Sequence, residues 1–123
     1  RYVEPTGLSS SNVSSPADLV RLMQTTAQRP LIRQYTTSTD MTVQVGRRIE
    51  QFRNTNALVK NASWDISVSK TGFINEAGRC LVMLTNIDGR DLAIVLLDSV
   101  GSLTRTADAM RIRKWVEREI QTL

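Results

Sequence analysis

Three apolar segments in the second half of the chain constrain its fold more than any other feature. They read "WDISVSKTGF", "RCLVMLTN" and "DLAIVLLD", and each has the length and the β-branched content that are typical of a strand. The last two are joined through Asp88-Gly89, a dipeptide that is favoured in tight hairpin turns. Both are apolar at consecutive positions, which predicts that both faces of the sheet are covered.

Two segments of the chain are predicted to be helical. In the first, Ser15 can cap a helix, Pro16 suits its first position and Asp18 stands where a capping carboxylate belongs. The apolar periodicity continues until Pro30, and "PLIRQYTT" predicts another helical turn. A second helix is predicted from about Thr104. Its apolar stripe, expected to lie against the sheet, consists of Ile112, Trp115, Val116, Ile120 and Leu123.

The region between these elements gives weaker signals. Residues 41–45 alternate enough to predict a short strand, whereas residues 46–61 are polar and predict an irregular connection. In the strand that follows, Ile66, Val68 and Lys70 are expected on one face. The intervening residues 67, 69 and 71 are expected on the other face.

Composition excludes several kinds of active site. The chain of 123 residues has no histidine, which rules out Cys/His and Ser/His/Asp catalysis within it. Its single cysteine, Cys80, lies in an apolar run and is interpreted as a small buried side chain rather than a reactive thiol. Any acid–base chemistry must therefore use lysine, carboxylate, serine or tyrosine side chains.

The charge of the chain bears on its partners. The net charge is +4, but aromatic residues make up only 5% and no arginine-rich tract alternates with them. A nucleic-acid partner is therefore not favoured. A basic surface also suits an anionic polymer or a substrate with a free carboxylate.

The stretch "DISVSKTGF" can be parsed in two incompatible ways. Ser67 and Lys70 fit S-x-x-K, the nucleophile motif of penicillin-recognising enzymes, and residues 70–72 fit K-T-G, a strand motif of the same enzymes. S-x-x-K needs a helix, where the Cβ atoms of residues three apart are about 5–6 Å from each other. On a strand the same residues lie on opposite faces and roughly 10 Å apart along the chain. The strand pattern therefore favours K-T-G and excludes the activation of Ser67 by Lys70.

The K-T-G match is weak when taken alone. A strand that ends in a lysine, a hydroxyl and a glycine leaves its edge open to a substrate that lies along it. These three residue types are common, however, and an ordinary strand end can have the same composition.

Three blocks of sequence give the motif a context. They read, in order, "EPTGLSSSNVSSPADL", "FRNTNALV" and "SKTGFINEAGRCLVM". Together they resemble the low-molecular-mass penicillin-binding proteins, the serine-type D-alanyl-D-alanine carboxypeptidases and endopeptidases that trim bacterial peptidoglycan. The resemblance covers nearly the whole chain and points to the D-alanyl-D-alanine endopeptidase branch.

This resemblance implies an α/β fold of the β-lactamase/transpeptidase-like type, in which antiparallel strands are flanked by helices. Residues 1–123 would be the carboxy-terminal portion of a single penicillin-binding domain, and the missing amino-terminal portion would carry the nucleophile. The strand "DLAIVLLD" would pair on its far side with a strand of that portion.

The implied activity is that of a periplasmic peptidoglycan hydrolase. Its serine would be acylated by a peptidoglycan stem peptide after D-alanine and released by water, with no metal or cofactor. A β-lactam would acylate the same serine. The implied partners are thus stem peptides, β-lactams and the amino-terminal portion of the same enzyme, and not nucleic acid.

The resemblance also assigns roles to individual residues. Lys70 would place a positive charge beside the catalytic serine–lysine pair, Thr71 would bind the terminal carboxylate of the substrate, and Gly72 would keep the edge clear. The backbone N–H of Phe73 would be one donor of the oxyanion hole. Arg105 stands at the family's spacing for a residue that helps bind the carboxylate, although a solvated arginine near a helix start fits it as well.

A second function, of a different class, is also compatible with the sequence. The chain could be a non-catalytic wall-binding or interaction module that keeps the groove but not the chemistry. An S-x-x-K motif in residues upstream of Arg1 would support the enzyme, and its absence would leave only binding. The sequence does not separate carboxypeptidase from endopeptidase activity, and residues 54–56 are expected to fix a loop rather than touch substrate.

Overall fold

The computed structural model describes residues 1–123 and contains three α-helices and five strands. In chain order these are α1 (Pro16–Thr26), α2 (Pro30–Thr37), β1 (Asp40–Val45), β2 (Arg48–Arg53), β3 (Asp65–Ile74), β4 (Gly78–Ile87), β5 (Arg90–Ser99) and α3 (Thr104–Gln121). A short 3₁₀ turn (Ala57–Lys60) precedes β3. Helix α1 begins as predicted, because Ser15 caps it by accepting a hydrogen bond from the Asp18 backbone N–H.

The three long strands form one antiparallel sheet in the order β3-β4-β5. Strands β4 and β5 are joined through Asp88 and Gly89, whose φ angles are 50° and 82°. Positive φ at both central residues is the conformation of a two-residue type I′ hairpin turn, which confirms the turn predicted from the dipeptide. Only one edge of β3 and one edge of β5 are paired, so the sheet has two open edges.

A β-bulge at Ser67 changes the expected facing of β3. Ile66 pairs with Thr85 and Val68 pairs with Leu84, so two steps along β3 correspond to one step along β4. Ile66 therefore points to the same face as Thr85, whereas Val68 and Lys70 point to the other. The prediction that all three share one face was wrong, because alternation cannot show where an extra residue is inserted.

The best-packed core lies between the sheet and α3. Leu81 and Met83 of β4 are fully buried there beside Ile94 of β5 and Ala109 of α3. The stripe predicted for α3 is only partly correct, because Ile112 packs on this core while Trp115 is 56% exposed. Ala109 is the fully buried residue of α3, and Trp115 lies about 120° around the helix axis from it. Trp115 therefore points away from the sheet.

The opposite face of the sheet is covered less completely. Helices α1 and α2 lie on this side, α1 against β4 and β5 and α2 beside β3. Met23 and Val68 are buried there, while Val82 and Leu84 are only half-buried. Helices thus lie on both faces, as the sequence predicted, but an open cavity remains between α1, α2 and β3.

The polar region after β1 is not irregular throughout. Strand β2 pairs with β1 over six residues, from Asp40 opposite Arg53 to Val45 opposite Arg48. Gly46, with φ of 62°, forms the turn. The expectation of an irregular connection was wrong for these residues, because hairpin pairing can hold a polar segment that has no apolar face.

No helix of the structure has the length and apolar character needed to cross a membrane.

Candidate active site

The K-T-G segment lies at the open edge of β3. Lys70 and Gly72 are exposed and Thr71 is half-buried, and no strand pairs with this edge. Alternate residues of an edge strand leave their backbone N–H and C=O groups without a strand partner. An extended peptide could therefore hydrogen-bond along β3 as a further strand.

One cavity brings the predicted site residues together. It has a volume of about 970 Å³ and lies between β3, α1, α2 and the loop at residues 5–8. The predicted site residues that line it are Lys70, Thr71, Gly72, Phe73 and Arg105. A Cβ atom added to Gly72 would meet nothing within 4 Å, so the glycine leaves this part of the edge free.

The geometry of β3 separates Ser67 from Lys70. The Ser67 hydroxyl donates to the Leu84 carbonyl oxygen on the paired strand, at 3.4 Å. The Lys70 ammonium donates to the carbonyl oxygen of Thr71. The S-x-x-K interpretation is thereby excluded for these residues, as the strand pattern predicted.

Thr71 has a side-chain partner that sequence reasoning missed. Its Oγ1 lies 2.5 Å from Oγ1 of Thr55, and Thr55 lines the same cavity. Residues 54–56 were expected to fix a loop rather than touch substrate, and the contact between Thr55 and Thr71 adds a link from that loop to the K-T-G segment. No local pattern could have shown the contact, because 16 residues separate the two threonines.

The two asparagines beside Thr55 do fix the loop. Asn54 donates through Nδ2 to the carbonyl oxygens of Thr36 and Ser38, at 3.0 and 2.9 Å. Asn56 is buried, accepts from the Leu58 backbone N–H and donates to Ser69 Oγ at 2.8 Å. The loop is thus anchored to α2 on one side and to β3 on the other.

Arg105 connects helix α3 to the same part of the sheet. It lies in the first turn of the helix, and its Nη1 donates to the carbonyl oxygens of Gly72, at 3.3 Å, and Cys80, at 3.1 Å. The guanidinium therefore stands beside the end of the K-T-G segment with donors left for an anion. Cys80 itself is half-buried rather than fully buried as predicted.

The end of the site carries a cation–π pair. The guanidinium carbon of Arg79 lies 4.7 Å from the centroid of the Phe73 ring. The two residues are opposite each other on β3 and β4, and Phe73 is 53% exposed. The contact thus joins β3 and β4 at the residue whose backbone N–H is the predicted oxyanion donor.

The loop at residues 4–12 forms the opposite wall of the cavity. Glu4 organises it, because its carboxylate accepts hydrogen bonds from Thr6, from the Ser9 backbone N–H and from Asn12 Nδ2. The hydrogen bond from the Thr6 hydroxyl, followed by that from the Ser9 N–H, lowers the pKa of Glu4 to about 2. The loop is therefore held by an ionised carboxylate.

The site contains cationic and hydroxyl groups and the carboxylate of Glu4. No group of three or more histidine, cysteine, aspartate and glutamate side chains in the structure could hold a metal ion. This arrangement can bind a carboxylate beside an open strand edge, through the side chains of Lys70, Thr71 and Arg105.

Comparison with known proteins gives a consistent result. Residues 1–101 match the family model described as D-alanyl-D-alanine carboxypeptidase. Over 119 residues the chain is 49% identical to a D-alanyl-D-alanine endopeptidase of Pseudomonas aeruginosa and 49% identical to one of Escherichia coli K12. Each match covers 95% of this chain and 38% of the relative, so the chain spans well under half the length of these curated relatives.

Solved structures have the same fold. The Streptomyces K15 DD-transpeptidase superposes with a TM-score of 0.76 at 26% identity, over 87% of this chain and 43% of that one. Penicillin-binding protein D2 from Listeria monocytogenes, in a cefotaxime-bound form, gives a TM-score of 0.73 over 92% of this chain and 46% of that one. Its identity is 23%, so this second likeness concerns the fold alone.

Proposed function

Because the chain belongs to the D-alanyl-D-alanine carboxypeptidase family, we propose that it forms part of a serine peptidase that cleaves peptidoglycan stem peptides after D-alanine. One observation carries this proposal: Lys70, Thr71 and Arg105 line a single cavity at an unpaired strand edge. The relatives that are 49% identical are named D-alanyl-D-alanine endopeptidases, which favours the endopeptidase activity over the carboxypeptidase activity.

The substrate would lie along β3. Its backbone would hydrogen-bond to the open edge, and its terminal carboxylate would accept a hydrogen bond from Thr71. Lys70 and Arg105 would add positive charge on either side of that carboxylate. Gly72 would allow the peptide to approach the strand, because no side chain projects there.

The nucleophile would come from residues outside these 123. The chain has three lysines, at positions 60, 70 and 114, and no serine hydroxyl is hydrogen-bonded to any of them. The described residues would therefore be the carboxy-terminal portion of one penicillin-binding domain. The serine and its own lysine would lie on the amino-terminal portion.

The reaction would proceed through an acyl-enzyme. The serine oxygen attacks the carbonyl carbon of D-alanine, the C–N bond breaks, and the amine leaves with a proton. Water then attacks the serine ester, which releases the acid and restores the hydroxyl. The Phe73 backbone N–H would stabilise the negative charge that develops on the carbonyl oxygen in both steps.

The proposed setting follows from this substrate. Peptidoglycan lies outside the cytoplasmic membrane, so we place the enzyme in the periplasm. β-Lactams would acylate the same serine and would therefore be inhibitors.

A penicillin-labelling experiment tests the proposal. The whole enzyme is incubated with a fluorescent penicillin, and the adduct is located by mass spectrometry of its peptides. We expect one labelled serine outside residues 1–123, and we expect the isolated 123-residue chain to remain unlabelled. A labelled Ser67 or Ser69 would contradict the strand argument, and an unlabelled whole enzyme that still bound stem peptides would favour the non-catalytic binding module.

A further inference from the structure

The loop at residues 54–56 makes two parallel side-chain contacts with β3. Asn56 Nδ2 donates to Ser69 Oγ at 2.8 Å, and two residues further along β3 the Thr55 and Thr71 hydroxyl oxygens lie 2.5 Å apart. The first contact is buried and the second is exposed to the cavity. Both contacts therefore join the same loop to β3, but only the second is accessible from the cavity.

From this geometry we infer that Thr55 is a positioning residue, which orients the Thr71 hydroxyl toward the terminal carboxylate of the substrate. The inference rests on the proposed function and adds a residue that controls recognition of that carboxylate. Thr55 acts through Thr71.

The direction of the hydrogen bonds follows from the chemistry of the groups. A carboxylate only accepts hydrogen bonds, so Thr71 must donate its single hydroxyl hydrogen to it. Thr71 then has only lone pairs to offer to Thr55, and Thr55 must be the donor between them. The result is a chain from Thr55 to Thr71 to the carboxylate, in which the first hydrogen bond polarises the second.

The surroundings of Thr55 favour this role over a structural one. The loop is already held by hydrogen bonds from Asn54 to the end of α2 and from Asn56 to β3 and Leu58. An additional exposed hydrogen bond between two hydroxyls contributes little to stability. Removing the Thr55 hydroxyl should therefore leave the fold intact while freeing the Thr71 hydroxyl to rotate.

The experiment uses the whole enzyme with Thr55→Val, Thr55→Ser and, as a matched control, Thr42→Val. Thr42 is an exposed threonine in β1 that lies away from the cavity. We expect Thr55→Val to raise KM by up to roughly tenfold for peptides with a free terminal carboxylate, because the Thr71 hydroxyl can then rotate away and its hydrogen bond to the carboxylate is weakened. We expect kcat to change less than KM, and we expect Thr55→Ser and Thr42→Val to behave as the wild type does.

Two further measurements separate positioning from a structural effect. With a substrate whose terminal carboxylate is amidated, Thr55→Val should equal the wild type. In a Thr71→Val background, Thr55→Val should cause no further loss, because the group it orients is gone. Any of three results would overturn the inference. They are an unchanged KM in Thr55→Val, an equal rise in KM for the acid and the amide substrates, and effects of Thr55→Val and Thr71→Val that add fully in the double variant.

The failure of this inference can be told apart from the failure of the proposed function. Penicillin labelling of the wild type reports on the acyl-enzyme and does not depend on Thr55. A labelled wild type with an unaffected Thr55→Val variant would reject the role of Thr55 alone. A wild type with neither label nor peptidase activity would reject the function and this inference with it.

Discussion

Gly78 and Asp98 face each other at the end of the β4–β5 pair, and the space between them is too small for a side chain. A Cβ atom on Gly78 would lie 2.3 Å from Asp98 Oδ1 and 2.9 Å from Asp98 Cα. Both residues have left-handed backbone conformations, with φ of 68° and 56°. The register of β4 and β5 shifts beside this contact, which indicates that a bulge in β5 brings Asp98 over the glycine.

This contact predicts a large effect of Gly78→Ala. The alanine would meet both an unfavourable φ and the backbone of Asp98, so we expect a loss of more than about 2 kcal/mol in the free energy of unfolding of the whole protein. Gly89→Ala is the matched control, because Gly89 has φ of 82° but open space around its Cβ position. Urea unfolding measures the free energy of unfolding of both variants. Equal losses would show that the contact with Asp98 adds nothing to the cost of the unfavourable φ.

Lys70 and Thr71 should affect acylation in different ways. Lys70→Ala in the whole enzyme should slow acylation by about two to three powers of ten, the loss typical of one electrostatic donor in a site shielded from water. Thr71→Val should mainly weaken the recognition of substrates with a free carboxylate. Stopped-flow acylation by a chromogenic β-lactam and hydrolysis of a stem peptide measure the two effects.

The control for Lys70→Ala is Lys114→Ala. Lys114 is exposed on α3 and does not line the cavity, so this substitution removes the same charge away from the site. Its acylation rate should equal that of the wild type. Unchanged kinetics in both Lys70→Ala and Thr71→Val would show that the K-T-G segment has no role in acylation or substrate recognition.

The loop at residues 4–12 should depend on pH through Glu4. The pKa of Glu4 is lowered from 4.5 to about 2, so its ionised form is favoured in the folded state. Its contribution to stability is therefore complete above pH 4.5 and is lost as the pH falls to about 2. We expect the difference in the free energy of unfolding between the wild type and Glu4→Gln to shrink over this range.

Acid unfolding of the two proteins at a series of pH values measures that difference. Asp18→Asn serves as the control for a carboxylate that is exposed and lies outside the loop. A difference between the wild type and Glu4→Gln that stayed constant from pH 7 to pH 2 would contradict the role of the charge.

The open edge of β5 predicts how the isolated chain behaves. Strand β5 is ten residues long, largely apolar and paired only with β4. Its free N–H and C=O groups need partners, so an exposed edge of this kind is a template for association. We expect the 123-residue chain to self-associate through β5 unless the proposed amino-terminal portion is added.

Sedimentation velocity at micromolar concentration tests this expectation. Leu97→Lys, which places a charge on the exposed part of β5, should reduce the association. A monomer that unfolds cooperatively without the other portion would show that the edge needs no cover and that the placement of these residues within a larger domain is wrong.

Much of the candidate site could be predicted from the sequence, because its key elements are local. The period of two in β3 excluded the S-x-x-K interpretation, and the structure gives Ser67 and Lys70 separate partners. Residues 70–72 lie on a strand, as predicted, but they do not end it, because β3 continues to Ile74. The capped start of α1 and the Asp88-Gly89 turn were likewise predictable, since a cap and a tight turn involve residues only a few positions apart. Hydrophobic periodicity and turn chemistry thus determined most of the elements.

The remaining features depend on which distant segments meet. The bulge at Ser67 reversed the facing of Ile66, and pairing with β1 made β2 a strand, because register arises between strands rather than within one. The contact between Thr55 and Thr71 and the reach of Arg105 to Gly72 also join residues far apart in the chain. The sequence by itself determined the strands, the turn and the motif, whereas the tertiary structure alone decided which side chains surround that motif, because only folding brings a loop and a helix start to the same strand edge.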